Sequence, residues 1–313
     1  MVGGLSLLFL GSLYILNTFF FMHMIITAQA YWWAFGLGYV VNFPHFSYSY
    51  QLFYDSFIQR LRQESLPLIE KARLLLAGII VPVIIVNYLL FAYLTKNQPM
   101  LAYGVSAMFF FVGWHYVKQG YGVLITLSVY KNIFYSIWEK RILYLNAYAV
   151  WICSWLNSNG YVNKTFFYDI AYTKLALPAW LLNASFYIML LTSASATGVI
   201  LRKWLVERKG ISVNGLTGYV CASYMWVFFP GILPAFFVFV PFFHSLQYMG
   251  FVYKFKTSEL HKERAEKLES EPEKKHPLLW HFLGFAGAGI VLGGLFMDIV
   301  PKQIDKWHSS ELF

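Results

Sequence analysis

Charge is scarce in this chain of 313 residues. Asp, Glu, Lys and Arg make up 12% of it, while 58% is hydrophobic and 20% aromatic. So little charge excludes an ordinary soluble domain, whose surface needs polar side chains, and it fits helices bathed in lipid on every side. Cysteine is nearly absent too. Cys153 and Cys221 lie in apolar stretches with no CxxC spacing, which excludes a disulfide framework or a thiolate metal site and leaves them as packing residues. Acids are missing where a helical di-iron site needs them, Asp298 being the only one inside a predicted span. The HxxHH runs of membrane desaturases are absent, as are GxGxxG, the Walker loop, HExxH and GxSxG, so nucleotide binding and zincin or serine-hydrolase chemistry have no support.

What is present is a series of long apolar runs. A helix needs about 20 such residues to cross a hydrocarbon core of roughly 30 Å. Runs at about 4–43, 72–94, 100–130, 142–157, 176–201, 214–230, 232–253 and 278–299 predict an all-α, multi-pass bundle of eight or nine spans, forming a single integral-membrane domain. The first run is one long helix or two joined ones. It carries no Asp, Glu, Lys or Arg and no small-residue cleavage site, so it reads as membrane helix rather than as a removable leader. Pro230, Gly231 and Pro234 divide the stretch from 214 to 253.

The net charge of +9 sits mostly in alternate connections, which points to topology control and not to nucleic acid. Loops 46–71, 131–141, 202–213 and 254–277 hold Lys and Arg; the intervening ones hold fewer, with Lys96 after the second run, Lys164 and Lys174 at 158–175 and none at 230–234. The basic loops are therefore expected in the cytoplasm. The segment HKERAEKLESEPEKK mixes both signs and reads as a solvated helical stretch before a final helix at 278–299.

Against this background a few polar groups stand inside the membrane. His45 follows Pro44 at the end of the first run, His115 lies mid-helix in HYVKQ, His244 lies mid-helix in HSLQY, and His281 opens the last helix. All four fall in the cytoplasmic half although they come from distant segments. A buried ionisable group costs on the order of a few kcal/mol by insertion scales, so groups at one depth suggest a common interior site. His115 and Gln119 are four residues apart with Lys118 beside them, and His244, Gln247 and Tyr248 repeat the pattern, which gives two helices similar polar stripes. Imidazoles without thiolates or clustered carboxylates suit Fe(II), and less specifically Zn or Cu. His45, His115 and His244 are the candidate metal ligands. Gln119, Gln247 and Tyr248 would orient them. Lys118 would meet a substrate carboxylate or a lipid phosphate, and His281, beside Trp280, is an interfacial anchor or an outer member of the cluster. Trp114, Tyr116, Tyr121, Phe242 and Phe243 would line an apolar space nearby. No catalytic acid or base is assigned.

With Pro44-His45, the single mid-chain His115 and Phe242-Phe243-His244 in this order, the chain distantly resembles the Brp/Blh family of integral-membrane β-carotene 15,15′-dioxygenases. That family has a second late histidine where this chain has Tyr248. The resemblance implies a helical bundle holding one iron at His45, His115 and His244, with an isoprenoid or other lipid-soluble substrate in the bundle. Two other readings stay open: a transporter or channel with a His/Lys/Gln path, and a non-catalytic subunit of a membrane complex. Haem between two histidines is a minor alternative to Fe(II).

Overall fold

The computed structural model describes residues 36–161, 166–167, 170–171, 177–228, 236–270 and 278–303, with short pieces at 11–12, 15 and 32–33. Most of the first predicted run, the 230–234 break and the end of the charged segment lie outside the described residues.

The described chain is helical apart from two strands of two residues each, β1 (Phe166–Phe167) and β2 (Ile170–Ala171), paired antiparallel. The helices are α1 (Asn42–Tyr54), α2 (Phe57–Arg62), α3 (Leu68–Leu94), α4 (Gln98–Val129), α5 (Ile137–Tyr161), α6 (Ala179–Leu201), α7 (Val213–Phe228), α8 (Phe236–Ser270) and α9 (Leu278–Gly294). Four stretches are long and apolar enough to cross a membrane: Leu68–Leu94, Gln98–Val129, Ala179–Val206 and Leu279–Gln303. This makes the chain an integral-membrane helical protein, with fewer clear spans among the described residues than the eight or nine expected. The shortfall has a physical cause. α7 has only 16 residues, α5 opens with Glu139, Lys140 and Arg141, and the second half of α8 is charged. By contrast α3 is apolar from Leu74 to Leu94 save for Asn87, with Val83, Ile84, Ile85 and Val86 at least half exposed, as a lipid-facing helix requires.

The chain forms two compact units. The first contains α4 to α7 and α8 up to His244; the second contains α1, α2, α3, α9 and α8 from Ser245. In the first unit, Asn97 caps α4 by accepting a hydrogen bond from the Met100 amide at 3.1 Å. Ser136 and Glu139 form a reciprocal capping box at the start of α5. Glu139 also meets Lys203, in the π turn after α6, at 3.0 Å, both side chains being buried. α7 lies close along α4 because Gly120 and Gly215 leave no side chain between them: a Cβ on Gly120 would fall 2.7 Å from that of Ala222. Fully buried Asn146 of α5 ties three helices together. Its amide donates to Thr192 and Ser193 of α6 at 3.3 and 3.2 Å, and its oxygen accepts from Tyr219 and Tyr224 of α7 at 2.5 and 3.0 Å.

In the second unit α1 packs on α9, with Gly289 under the ring of Tyr48 and Gly293 against the backbone at Phe43 and Pro44. Tyr48, fully buried, donates to the Ala286 carbonyl at 3.1 Å and stacks on Phe285. The loop expected at 46–71 therefore holds two helices, α1 and α2. These helices are short and aromatic, and α1 at 13 residues is below crossing length.

Candidate metal centre

In the first unit the structure brings His115 of α4 and His244 of α8 together, with ring centroids 5.0 Å apart and planes at 74°. His244 is buried and His115 half-buried. Two features hold the histidines in place. The Tyr116 ring lies over His244 at 3.9 Å, and Trp226 of α7 lies 5.5 Å beyond it. Gln119, one turn after His115, donates from Nε2 to the His244 carbonyl at 3.1 Å. The i, i+4 reading of HYVKQ thus places both His115 and Gln119 toward α8.

Lys118 takes a different direction. It is exposed, with its ammonium 4.5 Å from the centre of the Trp114 ring. Lys118 is four residues from Trp114 and three from His115, so on a helix it leans about 40° from the first and about 60° from the second. The shared polar face expected for His115, Lys118 and Gln119 is split.

In the second unit His45 is fully buried on α1, and its ring meets that of Tyr248 edge-on at 4.4 Å. The Tyr248 hydroxyl is 2.8 Å from Ser49 Oγ, and Ser245 Oγ donates to Asn42 Oδ1 at 2.7 Å. Asn42, His45 and Ser49 recur at three and four residues along one face of α1, opposite Ser245 and Tyr248 on α8. Gln247 is half-buried on α8, and His281 is exposed on α9. Asp298 pairs with Lys302 at 2.6 Å in the turns after α9.

α8 is continuous from Phe236 to Ser270, and His244 and Tyr248 stand on successive turns of it. As a donor set, neutral imidazoles with amide and phenol neighbours fit a first-row transition metal, the 5.0 Å centroid separation being of the right order for two rings bonded to one ion at about 2.1 Å. Three supports lie outside the residues that the sequence patterns single out. Ser49 and Asn42 lacked any apolar periodicity to mark them, whereas Asn146 had a signal, a lone amide inside a predicted span.

No family model matches the chain, and no curated protein sequence or solved structure matches it either.

Proposed function

We propose that the chain is a metal-dependent membrane oxygenase, in which His115, His244 and His45 each bring one nitrogen to a single Fe(II) and a lipid-soluble molecule of isoprenoid type is the substrate. The observation that carries this reading is the packed pair of imidazoles from α4 and α8, placed in the interior of a helical membrane protein. His45 is the third ligand by the order of histidines that the Brp/Blh resemblance implies, and it is a buried imidazole on the polar face of α1. The resemblance to the Brp/Blh dioxygenases points the same way.

Iron bound there would supply activation of dioxygen. The chain supplies orientation: Tyr116 fixes the plane of the His244 ring, Gln119 pins the turn that carries it, and Ser49 directs the Tyr248 phenol toward the His45 side. Gln247 lies on the same face of α8 and serves as a further polar neighbour. Aromatic walls from Tyr116 and Trp226 exclude water and accept an apolar substrate.

On this reading loops 46–71, 131–141, 202–213 and 254–277 face the cytoplasm, by their Lys and Arg content. The less apolar helices α5, α7 and α8 count as crossings sheltered by their neighbours, which with the N-terminal run gives eight or nine. The exposed position of Lys118 disfavours a proton path through it, and so the transporter alternative.

Elemental analysis of detergent-purified protein tests the proposal. Wild type should carry about one iron per chain, the combined His115→Ala, His244→Ala variant should lose it, and His281→Ala should keep it. Equal metal in wild type and the double variant removes the proposal. A Soret band in the visible spectrum replaces Fe(II) with haem.

A further inference from the structure

A lysine exposed on the side of an apolar helix is costly unless an anion or water meets it. Lys118 has no salt-bridge partner among the described residues, and its ammonium lies over the face of Trp114. The surroundings are polar and ordered. Trp114 Nε1 donates to the Tyr148 hydroxyl at 2.8 Å, Tyr148 and Tyr144 hydroxyls are 2.7 Å apart, and Tyr121 packs on Tyr144 at 5.1 Å. These residues form two facing stripes in the first unit, Trp114, Lys118 and Tyr121 on α4 and Arg141, Tyr144 and Tyr148 on α5, each at helical spacing.

Proton counting shows what the stripes lack. Trp114 spends its one N–H on Tyr148. The two phenols hold two protons and use one between themselves, whichever donates. One phenolic O–H therefore remains, pointing to an acceptor outside the set. A second cation stands near. Arg141 stacks on Trp138, 4.7 Å from the ring centre, and has no salt-bridge partner among the described residues, which leaves its N–H edge open.

The positions of the two cations follow from the helices. α4 and α5 run in opposite directions, and the Tyr121–Tyr144 contact sets their level. Lys118 lies three residues to one side of that level and Arg141 three residues to the other, about 9 Å apart along the axis. Each cation rests on a ring at the outer side of that level, Lys118 on Trp114 and Arg141 on Trp138, and both stems are long enough to swing inward to a group midway. Depth agrees: α4, with 32 residues, is about 48 Å long and overhangs a 30 Å core by roughly 9 Å at each end, which puts Lys118 about 7 Å inside the boundary. The Lys118 ammonium lies over Trp114, one turn further from that boundary, and its stem is long enough to swing back toward the headgroups when an anion is bound.

We propose that this outer face of α4 and α5 binds an anionic phospholipid, its phosphate held between Lys118 and Arg141 and hydrogen-bonded by the Tyr144–Tyr148 pair, its acyl chains running down past exposed Phe111. Two cations and one O–H donor match the oxygens of a phosphodiester, and the basic end of the helices, with exposed Lys131 and Lys140, adds attraction for negative lipid. The site is independent of the histidine centre.

Native mass spectrometry of the full chain released from nanodiscs of equal parts phosphatidylglycerol and phosphatidylcholine tests it. Wild type should retain one phosphatidylglycerol. Lys118→Gln and Arg141→Gln should each weaken retention about five- to tenfold, the combined Tyr144→Phe, Tyr148→Phe change about threefold, while Lys118→Arg and Lys131→Gln should retain it. Should Lys118→Gln fail to fold, Arg141→Gln at the helix end carries the test. Retention by the Gln variants equal to wild type overturns the proposal, as does equal retention of phosphatidylcholine or a free fatty acid in the lipid's place.

Discussion

Replacing Gly293 by alanine should destabilise the second unit, and the structure sets the size of the effect. A Cβ there would lie 2.6 Å from the carbonyl carbon of Phe43, 2.7 Å from its oxygen and 2.8 Å from the nitrogen of Pro44. All three are backbone atoms and cannot rotate away. Carbon atoms sit comfortably at about 3.5 Å, so α1 or α9 must retreat by roughly 0.9 Å. Pro44 is buried with its φ fixed by the ring, so the entry to α1 resists that shift. Overpacking of this kind costs about 1–3 kcal/mol. Alanine also favours a helix over glycine by about 1 kcal/mol, which would blur the result if wild type were the only reference. Gly294 removes the ambiguity: it is the next residue of α9, and a Cβ there meets nothing within 4 Å. Gly294→Ala gains the same propensity without the clash. The two variants should therefore differ by the steric term alone, which for a chain of this size means a Tm lower by roughly 2–10 °C for Gly293→Ala. Thermal unfolding in one detergent at one scan rate measures it. A Gly293→Ala protein that melts at or above Gly294→Ala would show that α1 and α9 do not approach as described. The consequence reaches the site as well, since α1 carries His45 and a displacement near 1 Å is enough to misplace a ligand.

Other outcomes follow from the same reasoning. Asn146→Leu removes four hydrogen bonds linking α5, α6 and α7; at about 0.6 kcal/mol each in a membrane interior it should cost about 2 kcal/mol in an equilibrium unfolding titration, and an unchanged midpoint would refute the network's role. Burial alone would raise the Glu139 carboxyl, but the Ser136 amide and Lys203 outweigh it and hold it below its ordinary value. A depressed carboxyl stabilises the fold above the unfolded pKa and loses that contribution as pH falls through the folded one, so wild type should lose stability relative to Glu139→Gln below pH about 4.5. A Tm difference between the two proteins that is the same at about pH 6 and at about pH 4 would contradict this. Under the metal proposal, Gln119→Leu frees the turn carrying His244 and should weaken iron binding about 10- to 100-fold in a chelator competition while leaving Tm nearly unchanged.

The histidine pair was legible in the sequence because depth and helical spacing are both fixed by counting. Once lysines and arginines set the register of the spans, His115 and His244 had to lie at similar heights, and Gln119 had to share the face of His115. What counting could not supply was the direction of residues on the edge of that face. Lys118, at i+3 from His115 and i+4 from Trp114, had two possible neighbours, and the aromatic ring with water or lipid beyond it is the cheaper place for an ammonium than the company of imidazoles. The same physics explains the helices at 42–62. Hydropathy reports the transfer of a segment into lipid, but α1 is held by phenols and hydroxyls that bond to α8 and α9, as Tyr48 does to the Ala286 carbonyl and Ser49 to Tyr248. A segment whose stability comes from such partners has no apolar run to reveal it, and a helix that presents polar groups to its neighbours is also the kind that can carry a buried ligand such as His45. Part of the proposed site therefore lies where hydropathy is least informative, on a helix too short to cross, while the pair on α4 and α8 lies where it is most informative.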